Sequence, residues 1–212
     1  MRTLEKIKLI VYFAVRVIIL VAGIMSVIRT DWVYFKDCST ALLITFVPDF
    51  VKKKLYLKLS VFIEIVLVLY IFAAIFLGET LLFFDKFFWW DIMLHSVSGL
   101  IFGYIGYKFA WLLTRNGKTG KLSPLFIVIF TFCFSVTIGT LWEIYEFIMD
   151  RTFGYRMQDD LFDTMTDLIF DSSGSLLYSV AGFFWLKQKI RRKVRENKDQ
   201  FYNEAANETS DT

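Results

Sequence analysis

Apolar positions in this chain come in long runs, and polar ones gather in short clusters between them. Residues 7–28, 55–78, 92–113, 122–149 and 161–186 each form a stretch able to cross a hydrocarbon core of ~30 Å, which takes ~20 helical residues. A weaker stretch, residues 32–50, carries Lys36, Asp37 and Pro48. The pattern predicts an all-α polytopic membrane bundle of about six transmembrane helices, the second short or re-entrant. The first stretch has a basic flank like that of a signal peptide, but its apolar run is too long and no A-x-A-like site follows, so it reads as a retained helix. From Lys187 the sequence turns to KQKIRRKVRENK and then to polar residues without periodicity. This predicts one membrane domain over residues 1–190 and a basic, then polar tail without regular structure over 191–212.

Charge gives the orientation. Lys and Arg collect at Arg2, Lys6 and Lys8, around Lys52, Lys53, Lys54 and Lys58, around Arg115, Lys118 and Lys121, and in the tail. The alternate loops hold one Lys (residues 79–91) and two Arg (residues 150–163). Six crossings with both termini cytoplasmic satisfy every connection, as expected of a multi-pass protein of the plasma membrane. Phe83, Phe84, Phe87, Phe88, Trp89 and Trp90 then fall at the outer interface, in a short interfacial helix. Composition agrees: 56% of the 212 residues are hydrophobic, against about 45–50% apolar in soluble domains. The net charge of +3 resides in flanks and tail, where it is a topology signal, so the expected partners are membrane lipids and no nucleic acid. Cys38 and Cys133 lack any CxxC spacing, which offers neither a disulfide framework nor a zinc knuckle.

Candidate chemistry lies where ionisable residues enter the spans. Asp91 and His95 stand four apart at the start of the fourth, and Gly99, Gly103 and Gly106 continue near the His direction. Glu143 and Glu146 stand three apart near the outer end of the fifth, with Gly139 and Ser135 below them. Asp160, Asp163, Asp167 and Asp171 open the sixth, with Gly174 returning to the Asp163 direction. Seven carboxylates and one imidazole on three converging helix ends need a counter-charge, because a desolvated ion costs several kcal/mol. A bound cation, protonation, Arg151 with Arg156, or open water would each supply relief. Mixed oxygen and imidazole donors suit Mg²⁺, Mn²⁺, Zn²⁺ or iron, and carboxylates at i, i+3 or i, i+4 on facing helices build bundle metal sites. The expected ligands are His95, Glu143, Glu146, Asp163, Asp167 and Asp171, with His95 also as general acid or base and Asp91 orienting its ring. Asp91, Asp160 and Asp163 read equally well as helix caps or first-turn carboxylates. Arg16 and Glu64, each nine residues into a span, share a depth and form a candidate buried ion pair.

FFWWDIMLHSVSG at 87–99, LWEIYEF at 141–147 and DDLFDTMTDLIFDSSGSLL at 159–177 resemble the YjdF-like family of bacterial membrane-spanning proteins, whose activity is unassigned. The pattern WD-x3-H-x3-G, WE-x2-E and D-x3-D-x6-G falls on Trp90, Asp91, His95 and Gly99, on Trp142, Glu143 and Glu146, and on Asp163, Asp167 and Gly174. The likeness covers the last two thirds of the chain and implies a common site without naming a reaction. A fainter similarity extends to VanZ-like membrane proteins, but Asp171 stands where their pattern has Asn, and their Glu-Gln pair is missing. Signatures of lipid phosphatases, CDP-alcohol transferases, HExxH proteases and GxSxG hydrolases are absent, and a single His excludes two-His metal chemistry.

Three functions fit these residues. One is a metal-dependent enzyme at the outer leaflet acting on a lipid-linked or phosphorylated envelope precursor. Another is an ion-coupled transporter in which Glu64 and Arg16 continue the path inward. The last is a non-catalytic membrane component stabilised by its acidic cluster.

Overall fold

The computed structural model describes residues 3–54, 59–115, 123–154, 157–158 and 160–210, and among these there is no strand. Arg2, Lys58, Lys118, Lys121 and Arg156, used above for orientation and counter-charge, lie outside the described residues, as does Asp159. Eight helices follow in order: α1 Thr3–Ile28, α2 Trp32–Ile44, α3 Val47–Lys54, α4 Val61–Ile71, α5 Phe83–Lys86, α6 Trp89–Arg115, α7 Pro124–Phe153 and α8 Leu161–Ser210, with α4 running on as a π-helix over Phe72–Thr80. The chain is an all-α membrane bundle. Thr3–Ile28, Val61–Thr80, Trp89–Leu113 and Pro124–Phe153 are each long and apolar enough to cross a membrane.

Capping chemistry sets the starts. Asp31 accepts the Tyr34 N–H at 3.0 Å after Thr30 turns the chain with φ 57°. Ser60 opens α4 and Ser123 opens α7, where Pro124 fills the first turn and loses no hydrogen bond. Gly154, at φ 70°, ends α7.

The first bundle is α1, α2 and the α4/π helix. Gly23 of α1 lies against Cys38, and Arg16 donates to Thr45 Oγ1 at 3.2 Å and to its carbonyl at 3.0 Å, so α2 runs antiparallel to α1. Its 13 residues cover only ~20 Å, but α3 carries the chain on until Lys52 reaches the level of Lys8. The segment expected as a short or re-entrant second span is thus a broken return path. Arg16 and Glu64 do not pair: Arg16 reaches Asp49 at 3.2 Å, whereas the buried Glu64 takes Lys8 at 3.0 Å and Lys52. Equal depth matched them, but insertion of α3 supplied each with a nearer partner.

The second bundle is α6, α7 and α8. Gly103 faces Tyr178 and Tyr107 meets Trp185, so α6 and α8 run parallel, with α7 antiparallel to both. Where α6 meets α8, Gly99 lies 3.1 Å (from the position a Cβ would take) from Gly174 Cα, and that Cβ would overlap the Asp171 carbonyl. Ser175 Oγ bonds Ser135 Oγ at 2.6 Å, and Ser135 Oγ donates to the Gly99 carbonyl at 2.9 Å, which ties the three helices at one level. Close backbone approach at small residues is how helices associate without a hydrophobic driving force. Gly99→Val should therefore cost at least about 1–3 kcal/mol, read as a lowered unfolding temperature in detergent. Gly182→Ala, with open space at its Cβ and inside α8, should hold that temperature or raise it slightly.

Two details at the ends complete the frame. The aromatic run spans α5, the Phe87–Phe88 turn and the start of α6, and Phe88 is fully turned outward. The tail differs from expectation: α8 continues as helix to Ser210. Its Lys, Arg, Glu, Gln and Ala are strong helix formers, and they extend a helix already nucleated by packing, so no new nucleus is needed.

Candidate functional site

Parallel alignment of α6 and α8 brings two i, i+4 pairs abreast, Asp91 with His95 and Asp167 with Asp171. His95 Nδ1 lies 3.1 Å from Asp171 Oδ2, while Nε2 faces Asp91 Oδ1 at 3.5 Å and Asp167 Oδ1 at 3.8 Å. One donor atom from each of Asp91, His95 and Asp167 fits within 4.8 Å of the others, a group able to hold a metal ion. Ser98 bonds the second oxygen of Asp171 and also contacts the His95 carbonyl at 2.8 Å. Gly139 of α7 makes room for the Asp171 carboxylate, which any side chain there would overlap. His95, Asp167 and Asp171 are all buried.

Residues expected in one shell around a metal separate into distinct places. Asp171, expected as a ligand, sits on Nδ1, and Asp91, expected to orient the ring, sits on Nε2. The reason is register: Asp171 is one turn deeper in α8 than Asp167 and meets the inner edge of the imidazole. Asp163 stays half-exposed in the first turn of α8, its N–H capped by Asp160 Oδ1 at 2.9 Å, and adds negative potential next to Asp167 without joining the group. Glu143 is 4% exposed; Gln158 Nε2 donates to its Oε2 at 3.2 Å, and its Oε1 has no partner among the described residues. Glu146 accepts from Trp142 Nε1 at 2.8 Å.

A cavity of about 350 Å³ opens beside the group, between the two bundles. Asp91, His95 and Glu146 line one side, and Lys36, Asp37, Tyr70 and Glu79 line the other. None of this second set was singled out as site chemistry from the sequence, and Glu79 was expected in a loop. The π-helical segment explains its position. At ~100° per residue Tyr70 and Glu79 would face opposite ways, but the wider π turn, roughly 80° per residue from Phe72 on, returns Glu79 to the Tyr70 side. The Leu81 N–H bonds the Phe76 carbonyl at 3.0 Å, the i to i−5 spacing of that turn. Sequence periodicity carries no mark of this change; Lys36 and Asp37 were visible only as charges in a weak span.

Chemically, Nε2 and two carboxylates form three donors of the kind that bind a divalent ion, and the carboxylate on Nδ1 holds the ring in place. Tyr70, next to Ser98 on the cavity wall, and Glu146 give a bound molecule further polar contacts.

None of the comparisons with known proteins assigns an activity, and the family that matches is described as a membrane protein. An uncharacterized protein of Thermotoga maritima is 34% identical over 141 residues, 66% of this chain and 65% of that protein, so the chain spans just under two thirds of its relative's length. No solved structure matches. The model of a family described as predicted membrane protein (DUF2238) matches residues 7–188, and the chain belongs to that family.

Proposed function

We propose that this protein, a YjdF-like member of its family, is a metal-dependent membrane enzyme. Its centre binds one divalent ion, Mg²⁺, Mn²⁺, Zn²⁺ or iron, through Asp91, His95 Nε2 and Asp167, and Asp171 fixes the imidazole. The observation that carries this reading is the convergence of three donor atoms within 4.8 Å while a separate carboxylate engages Nδ1. A bundle needs no such pairing for packing. When bound, the ion would polarise a phosphoryl or carbonyl oxygen or activate water. Glu143, with its free Oε1, is placed to move a proton, and Glu146 faces the cavity as a second ligand or acceptor.

Orientation follows from charge: Lys8, Lys52 and Lys187 lie at the end of the bundle away from His95, so the positive-inside rule assigns that end to the cytoplasm and the His95 end to the outer leaflet. Six crossings, the second made by α2 and α3, then leave both termini inside. A lipid-linked or phosphorylated envelope precursor is the natural substrate there. The transport reading loses its inner relay, since Glu64 is matched by two lysines and does not meet Arg16.

Elemental analysis of detergent-purified protein tests the proposal. Near-stoichiometric metal is expected in the wild type and less than about a tenth of it in an Asp91→Ala, Asp167→Ala variant, because two of three donors are gone. Metal in neither protein, even after dialysis against divalent ions, would overturn it and favour a non-catalytic bundle.

A further inference from the structure

Around Glu143, which is not among the residues lining the first cavity, the ends of α7 and α8 form a cleft of about 670 Å³. The volume falls within the range of ligand pockets. Its walls are Ile144, Phe147, Leu161 and Leu168, and the first three are exposed on the surface that a membrane-spanning α7 and α8 turn to lipid. Its rim is polar, and the roles of the rim residues differ. Asp150 spends both oxygens internally, on the Met157 N–H at 2.8 Å and the Gln158 N–H at 3.0 Å, and Asp160 caps α8. Arg151 is exposed, its guanidinium 5.5 Å over the Phe147 ring, with no carboxylate partner among the described residues. At the bottom lies Glu143, buried, with one oxygen unpartnered.

We propose that this cleft seats a zwitterionic phospholipid from the adjoining leaflet, its phosphate on Arg151 and its acyl chains leaving over Ile144 and Leu168. Arginine recognises phosphate through parallel N–H donors, and the aromatic ring beneath pre-orients the guanidinium. Among the described residues, Asp150 and Asp160 outnumber Arg151 on the rim, which disfavours a purely anionic head and attracts an ammonium group on the same head. The apolar wall selects a lipid over a soluble phosphate ester, because it continues into the hydrocarbon-facing surface. Seated there, the head lies against Glu143 at the bottom of the cleft. The inference names the substrate class of the proposed enzyme and rests on that reading for turnover alone; lipid binding is independent of it.

Native mass spectrometry of the delipidated full-length protein, titrated with phosphatidylethanolamine, phosphatidylglycerol and diacylglycerol of equal chain length, tests the seat. Phosphatidylethanolamine should bind tightest, at least about tenfold above diacylglycerol, and Arg151→Gln should remove most of that advantage, as expected for a charged hydrogen bond. Leu168→Trp, which fills the cleft, should weaken the phospholipid while the exposed Arg151 stays intact. Asp91→Ala, Asp167→Ala should bind lipid as the wild type does. Equal binding of phosphatidylethanolamine and diacylglycerol, or an Arg151→Gln protein that discriminates as well as wild type, would overturn the proposal. So would tighter phosphatidylglycerol binding, or displacement by glycerophosphoethanolamine at equal concentration. A protein that holds metal without discriminating lipids defeats this inference only, and one that discriminates lipids without holding metal defeats only the enzyme reading.

Discussion

Asp171→Ala should weaken metal binding about 10–100-fold although Asp91 and Asp167 are untouched, the usual effect of removing the group that orients a ligating histidine. The Asp171 carboxylate lies 3.1 Å from Nδ1, and with a metal bound it would hold the proton on that nitrogen and leave the Nε2 lone pair toward the other two donors. Without it the ring loses both tautomer and direction. The pocket is built around this contact: Ser98 engages the second oxygen, and Gly139 gives the carboxylate its space. Asp171→Asn, which keeps an oxygen for Nδ1, should retain more affinity than the alanine variant. Competition with a chelator of known affinity measures both; an Asp171→Ala protein that binds as wild type would show that the ring is held by other means and that Asp171 serves packing alone.

The legible part of this site was the part written on straight helices. Asp91 with His95 and Asp167 with Asp171 repeat a four-residue spacing, so each pair shares a face whatever the partner, and the glycines at 99 and 174 mark the face where the backbones touch. That was enough to expect convergence, and it left open which carboxylate takes which ring nitrogen. Relative depth of two helices is set by loops and packing, and a shift of α8 by one turn would put Asp167 in the place of Asp171. Glu79 was hidden for a different reason, a local change of helical period. The long helix of the tail was masked by its charge, which signals solvation equally well for a coil and for an exposed helix.

Depth also misled at the other end of the bundle, where Glu64 meets Lys8 and Lys52. Glu64→Ala should destabilise the protein by about 2–3 kcal/mol, below the roughly 3–5 typical of breaking a fully buried pair, because Lys52 is 37% exposed and can turn to water while Lys8 cannot turn as freely. The loss is the penalty of leaving the largely buried Lys8 with only the exposed Glu5, 3.5 Å away, as counter-charge, so removing all three charges should recover most of it: a Lys8→Met, Lys52→Met, Glu64→Leu protein should unfold close to the wild type. The same triad fixes α3 to α1 and α4, the contact that completes the return path of the second span. Thermal unfolding in detergent separates the two effects. A single variant as stable as the wild type would mean that the lysines reach water on their own, and then Arg16 with Thr45 and Asp49 would have to hold the return segment.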